Sequence, residues 1–142
     1  MTELHTETEI AASSSRVWTI VTDLERYAEW NPFIRNARGE FLQGGSVELE
    51  LTPPDQEPWT FYATIMEVSP ICLIKLHCAH PDVPGLHFEH ELILEPTREG
   101  TRFVQRLAVG SGGVPDAWTG VDDLAQVGIE MMNAALKERA ER

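Results

Sequence analysis

The side chain with the greatest chemical capacity in this chain is His90. It stands in "LHFEHELILEP" (86–96), where apolar and charged residues alternate with the period of two expected of a half-buried strand. That alternation puts Leu86, Phe88, His90, Leu92 and Leu94 on one face, and His87, Glu89, Glu91 and Glu95 on the other. An imidazole on an apolar face is costly unless it is hydrogen-bonded. Three readings stay open. It holds a carbonyl or hydroxyl of a bound molecule, it exchanges a proton with one, or it is a core histidine satisfied by Gln105 or by a backbone carbonyl. Gln105 carries the same ambiguity, because "RFVQRLAV" groups it with Phe103, Leu107 and Val109. Acid–base work needs a second polar group at hydrogen-bond reach of the reacting atom, and the sequence identifies none opposite His90.

The remaining candidates read more plainly. His77, His80 and His87 lie in or beside the "HPDVPG" loop without the spacing of metal ligands, and are expected at an exposed rim. Cys72 and Cys78 share one apolar run, "ICLIKLHCA" (71–79). If that run is one strand, their Cα atoms are roughly 20 Å apart, too far for a disulfide. Reduced thiols and a cytoplasmic location follow. Glu48, Glu50, Glu89, Glu91 and Glu95 alternate outward to water. There is no G-x-S-x-G, no phosphate-cradling glycine loop and no Cys–His nucleophile pair in register. "GSGG" (110–113) reads as a flexible connection that gates a cavity. No cofactor or metal is implied.

These residues need elements to position them. "LHTETEIAA" (4–12) reads as a strand. A serine of "SSS" (13–15) caps a helix beginning near Arg16, with Val17, Trp18, Ile20 and Val21 apolar. Asp23 restarts a second short helix with Leu24, Tyr27 and Ala28 inward, and "WNP" (30–32) ends it. Strands follow at "FIRNARGEFL" (33–42), at "SVELELTPP" with Val47, Leu49 and Leu51 on one face, at "WTFYATIMEVS" (59–69), at 71–79, at 86–96 and through "TREGTRFVQRLAVG". After "GSGGVP" the period returns to 3.6, with Val121, Leu124, Ala125, Gly128, Met132, Ala135 and Leu136 on one stripe of a long helix. This order predicts a single α+β domain spanning 1–142, a curved antiparallel sheet of about seven strands around a long C-terminal helix.

A bent sheet and a helix meeting at an angle do not touch along their full length, so the gap is filled by large side chains or left as a pocket. Gly128 adds no bulk, and Met131 and Met132 adapt to varied surfaces; the other reading makes Gly128 a close-approach point and both methionines core. The expected lining from the sheet is Leu49, Phe61, Leu76, Phe88, His90, Phe103 and Gln105. The helix adds Leu124, Gly128, Met131 and Met132, and Trp30 stands at the mouth or packs the short helices.

Composition excludes other classes. Eleven Lys and Arg against 23 Asp and Glu give a net charge of −12, and no basic stripe offers phosphates a landing place. Nucleic acid and anionic membrane are therefore not expected partners. "MTELHTETEI" is polar and acidic, unlike a signal peptide, and no apolar run approaches the roughly 20 residues of a membrane span. A soluble monomer or homodimer is the expectation.

Three segments carry a family resemblance: "SSSRVWTIVTDLERYAEWNPFI" (13–34), the "LEP…GTRFVQ" hairpin (94–105) and "GIEMMNAALKERAE" (128–141). With the strand order between them, the chain resembles the START-like, or polyketide cyclase/dehydrase and lipid transport (SRPBCC), superfamily and its helix-grip fold. The resemblance implies a concave sheet gripping the last helix, with the short helices closing one end of a cavity. Members bind sterols, lipids, polyketides or other apolar molecules, and some are aromatase/cyclases. It therefore implies a small hydrophobic ligand as partner, held without catalysis, or a cyclase/dehydratase using His90 as acid or base. A protein-interaction domain, as in co-chaperone relatives on this fold, needs an exposed apolar patch, whereas the outward faces here are charged.

Overall fold

The computed structural model describes residues 2–110 and 120–142. Strand β1 (Thr2–Ile10) leads into α1 (Ser14–Thr22), a single 3-10 turn (Leu24–Arg26) and α2 (Tyr27–Trp30). Strands β2 (Ile34–Arg38), β3 (Ser46–Leu51), β4 (Trp59–Ser69), β5 (Leu73–Ala79), β6 (His87–Thr97) and β7 (Gly100–Gly110) precede α3 (Val121–Glu141). The sheet has seven strands in the order β1-β7-β6-β5-β4-β3-β2, every neighbouring pair antiparallel. It is curled into a half-barrel, the helix-grip arrangement. Register shifts between Ile34 and Asn36 and between Ile65 and Glu67 supply local bends of the kind that let a sheet curl.

Local chemistry accounts for the element ends. Ser13 caps α1, its hydroxyl accepting from Arg16 N at 3.2 Å. Two strands are shorter than expected. β2 stops at Arg38 because Gly39 takes φ +119° and the chain then turns, leaving Leu42 61% exposed. β5 starts at Leu73 because Ile71 adopts φ +66° in a turn closed by Cys72 N to Ser69 O at 2.9 Å. The two cysteines therefore do not share a strand: Cys72 is exposed in the turn and Cys78 is buried in β5, both as free thiols.

The core lies between the concave face and the helices. Val47, Leu49 and Leu51 on β3, Phe61, Ala63 and Ile65 on β4, and Leu92 and Leu94 on β6 are all buried, as their alternation predicts. On α3 the buried set is Val121, Ala125, Gly128, Ile129, Met132, Asn133, Leu136 and Ala140. Polar bonds pin the C-terminal turns of α3. Arg16 donates through Nε to Ala140 O (2.7 Å) and through a terminal nitrogen to Arg139 O (3.2 Å), satisfying carbonyls that have no partner within the helix. Lys137 Nζ donates to Glu9 O at 2.8 Å, and Arg139 pairs with Glu29 at 2.9 Å. Among the described residues, no helix is long and apolar enough to cross a membrane.

Candidate functional site

The inner face of the sheet carries the residues expected to line a pocket, and strand register brings them together. Leu49 pairs with Phe61 across β3 and β4, Leu76 with His90 across β5 and β6, and Leu94 with Phe103 across β6 and β7. Phe61 and Phe88 meet edge to face with centroids 5.0 Å apart, and His80 adds its ring to Phe61 at 5.3 Å. Leu49, Phe61, Leu76, Phe88, Phe103 and Met132 are all buried. The result is an apolar, packed inner face with an aromatic end near the start of β6.

His90 is 6% exposed and lies on this inner face of β6. Its Nε2 lies 2.7 Å from the side-chain amide of Gln105, a hydrogen bond whose direction follows the imidazole tautomer. Gln105 is fully buried, and its Nε2 donates at 2.7 Å to Oδ1 of Asn133 on α3. Asn133 in turn donates through Nδ2 to Oγ1 of Thr6 on β1 at 2.9 Å. The contact with Gln105 is the partner that the sequence offered for a buried histidine here. Burial opposes a charged imidazole and that bond favours one; burial prevails and lowers the pKa to about 4. Asn133 is a buried polar group of α3 that the sequence did not single out, and it engages the amide of Gln105.

Of the two readings open for Gly128 and for Trp30, packing is the one seen, while Met131 departs from its expected place. Gly128 is buried, but the space beside it is taken: a Cβ placed there would lie 2.3 Å from Cε1 of Phe33. The expected vacancy is filled by that ring, so Gly128 is a seat for Phe33. Met131 points away from the interior and is 37% exposed, because it falls one residue, or about 100°, off the buried stripe of α3. With Trp30, Pro32, Thr52 and Pro53 it lines a surface groove of about 490 Å³. Leu124 sits half-buried at the edge of the stripe. Trp30 is half-buried and packs edge to face on Tyr27 at 5.2 Å, within the short-helix pair.

His77 and His87, expected at a rim, are half-buried and stacked at 5.9 Å, and His77 Nδ1 meets Glu89 Oε1 at 2.5 Å. Burial pushes the Cys78 thiol up to about 12, so it supplies no thiolate at neutral pH. The "GSGG" connection lies outside the described residues apart from Gly110, the last residue of β7.

Solved structures share this architecture. A protein from Chromobacterium violaceum superposes with a TM-score of 0.78 at 16% identity, covering 100% of this chain and 99% of that one. The Zhui aromatase/cyclase from a Streptomyces species matches with a TM-score of 0.78 at 18% identity, over 99% of this chain and 94% of its own. A START superfamily protein from Mycobacterium smegmatis gives 0.75 at 22% identity, over 98% and 97%. At these identities the likeness is one of fold. No curated protein sequence matches the chain. The family model described as polyketide cyclase/dehydrase and lipid transport matches residues 1–142, and the chain belongs to that family.

Proposed function

We propose that this protein is a receptacle for a small hydrophobic molecule, a lipid, sterol or polyketide-like compound, held between the concave face of the sheet and α3. The observation that carries the reading is the polar line from His90 through Gln105 to Asn133, set within an otherwise apolar inner face. Ligand pockets have this character: mostly apolar walls and a few placed polar groups that fix orientation. The family description, which names lipid transport beside polyketide chemistry, supports it.

The second reading is a cyclase or dehydratase acting in the same place, favoured by the fold shared with an aromatase/cyclase. Binding without catalysis is the better supported. His90 is neutral and committed through Nε2, and the amides of Gln105 and Asn133 engage each other. This arrangement orients a molecule more readily than it moves protons.

Thermal denaturation against a panel of sterols, fatty acids and aromatic polyketides tests the proposal. A ligand of the native state raises the melting temperature, by the equivalent of about 2.7 kcal/mol at a hundred times its Kd. A stabilising compound recovered unchanged supports the receptacle. One recovered dehydrated or cyclised, by mass spectrometry, supports the enzyme. No stabilising compound in any of the classes would count against both.

A further inference from the structure

We propose that the surface groove beside Trp30 and Met131 is a second binding site, one that takes a carbonyl group carried on a flat apolar body. This site stands apart from the interior receptacle and does not depend on it. Two polar atoms left without partners, where the turn from α2 to β2 meets the chain leaving β3, point to it.

Asn31 is 2% exposed, and its Oδ1 accepts from the backbone amides of Phe33 at 3.0 Å and Ile34 at 2.8 Å. Two backbone donors on one atom fix this side chain, because turned over it would set its NH2 group against both N–H groups. Nδ2 is therefore the unpartnered end, with two protons to give. Thr52 N donates to Phe33 O at 2.6 Å, which brings Thr52 to the same turn. Among the described residues, the buried side-chain nitrogen and oxygen atoms that lack a partner are Asn31 Nδ2 and Thr52 Oγ1. Both residues line the same groove of about 490 Å³.

A buried donor left unmade is costly, and two in one place are met together by an acceptor with two lone pairs. A carbonyl oxygen takes both with no proton of its own to place. The two atoms lie beneath the groove surface, out of reach of bulk water. A carbonyl that shifts the side chains above them therefore gains its bonds without competition from solvent. The walls suit an apolar body: Trp30, Pro32, Pro53 and Met131 line the groove, with Trp30 half-buried and Met131 37% exposed. Indole and proline faces accept flat rings, and a methionine adapts to their outline. Charge selects a neutral carbonyl over a carboxylate, because Glu29 and Asp55 stand in the lining against Arg35. A ketone, ester or amide beside an aromatic ring meets all these features.

NMR titration of the wild-type protein with 2-acetylnaphthalene and 2-ethylnaphthalene tests this, since the two probes are of nearly equal shape and differ in the carbonyl. The acetyl compound is expected to move the side-chain NH2 signals of Asn31 and the indole signal of Trp30. It is expected to bind there about tenfold tighter than the ethyl compound, the worth of one buried hydrogen bond. Hydrophobicity alone gives the opposite order, because the ethyl compound is the more apolar. Equal affinities at these signals, or no shift from either probe, overturn the proposal. Entry of a probe into the interior is read separately from the Phe88 and Phe103 signals, so the two sites stand or fall apart. Asn31→Asp keeps an oxygen for the two backbone amides and removes the donor; it should erase the preference, and a preference retained overturns the proposal. Thr52→Val should weaken the acetyl compound while leaving the urea midpoint unchanged or higher, since an unpaired buried hydroxyl adds nothing to the fold. A lower midpoint would mean that the hydroxyl is already satisfied, by a resident water for example, and overturns the proposal. The wild-type titration decides the matter even if a variant does not fold.

Discussion

The ring of Phe33 rests on Gly128 so closely that a Cβ added to the glycine would fall 2.3 Å from Cε1 of the phenylalanine. A residue just ahead of β2 thereby fixes how near α3 comes to this end of the sheet, and the helix carries its least bulky residue at the point of contact.

Gly128→Ala sets two effects against each other. Helix propensity favours alanine by about 1 kcal/mol. Displacing a buried aromatic ring costs about 1–3 kcal/mol, and the ring is buried, so a net loss is expected. The urea midpoint should fall with an unchanged slope, and adding Phe33→Leu should recover part of it. A higher midpoint in the single variant would mean that the ring yields freely.

Stability should depend on pH through His90. Its ordinary pKa of 6.5 is lowered to about 4 in the folded protein, so between these values the unfolded chain binds a proton that the folded chain does not. Stability is complete above about pH 6.5 and falls as pH drops toward 4, by on the order of 3 kcal/mol. Denaturant titrations across this window should show the slope in wild type and lose it in His90→Gln. Glu7, Glu29 and Glu141, whose pKa values are lowered by bonds to His5, Arg139 and the Ala11 amide in turn, contribute below their ordinary 4.5. An unchanged slope in the variant would place the titration elsewhere.

Gln105 and Asn133 should behave as one unit. Gln105→Leu leaves the amide of Asn133 without its partner, and Asn133→Leu does the same to Gln105. Each should cost about 1–3 kcal/mol. The double variant orphans neither, so its loss should fall well short of the summed singles in a double-mutant cycle. Additive losses would show that the bond contributes little.

What was legible in the sequence was whatever obeys a short period. Leu49, Phe61, Leu76 and His90 face inward because a strand shows alternate residues to one side, and the bounds of β4 follow from composition alone. The helix was harder. Ile129 and Asn133 belong to its buried stripe and Met131 does not, since a stripe drawn one position narrow discards a flank and a polar letter such as Asn reads as solvent. A wider stripe with Asn133 inside it was the one available signal for the buried amide that bonds Gln105. The seating of Phe33 on Gly128 had no signal, because it joins positions remote in sequence through tertiary packing. The turn at Ile71 was hidden by an unbroken run of β-prone residues.

The pairing of β1 with β7 joins the two most distant strands of the sheet, Thr2 opposite Val109, and the bond from Asn133 to Thr6 spans 127 positions. Closing so long a loop is an entropic hurdle met before any contact rewards it, the circumstance in which topology slows folding. Until β1 returns, β7 is an open edge with a row of unpaired amides and carbonyls, a surface on which other chains can template. The period of greatest aggregation hazard is therefore the wait for residues 2–10 to find their place.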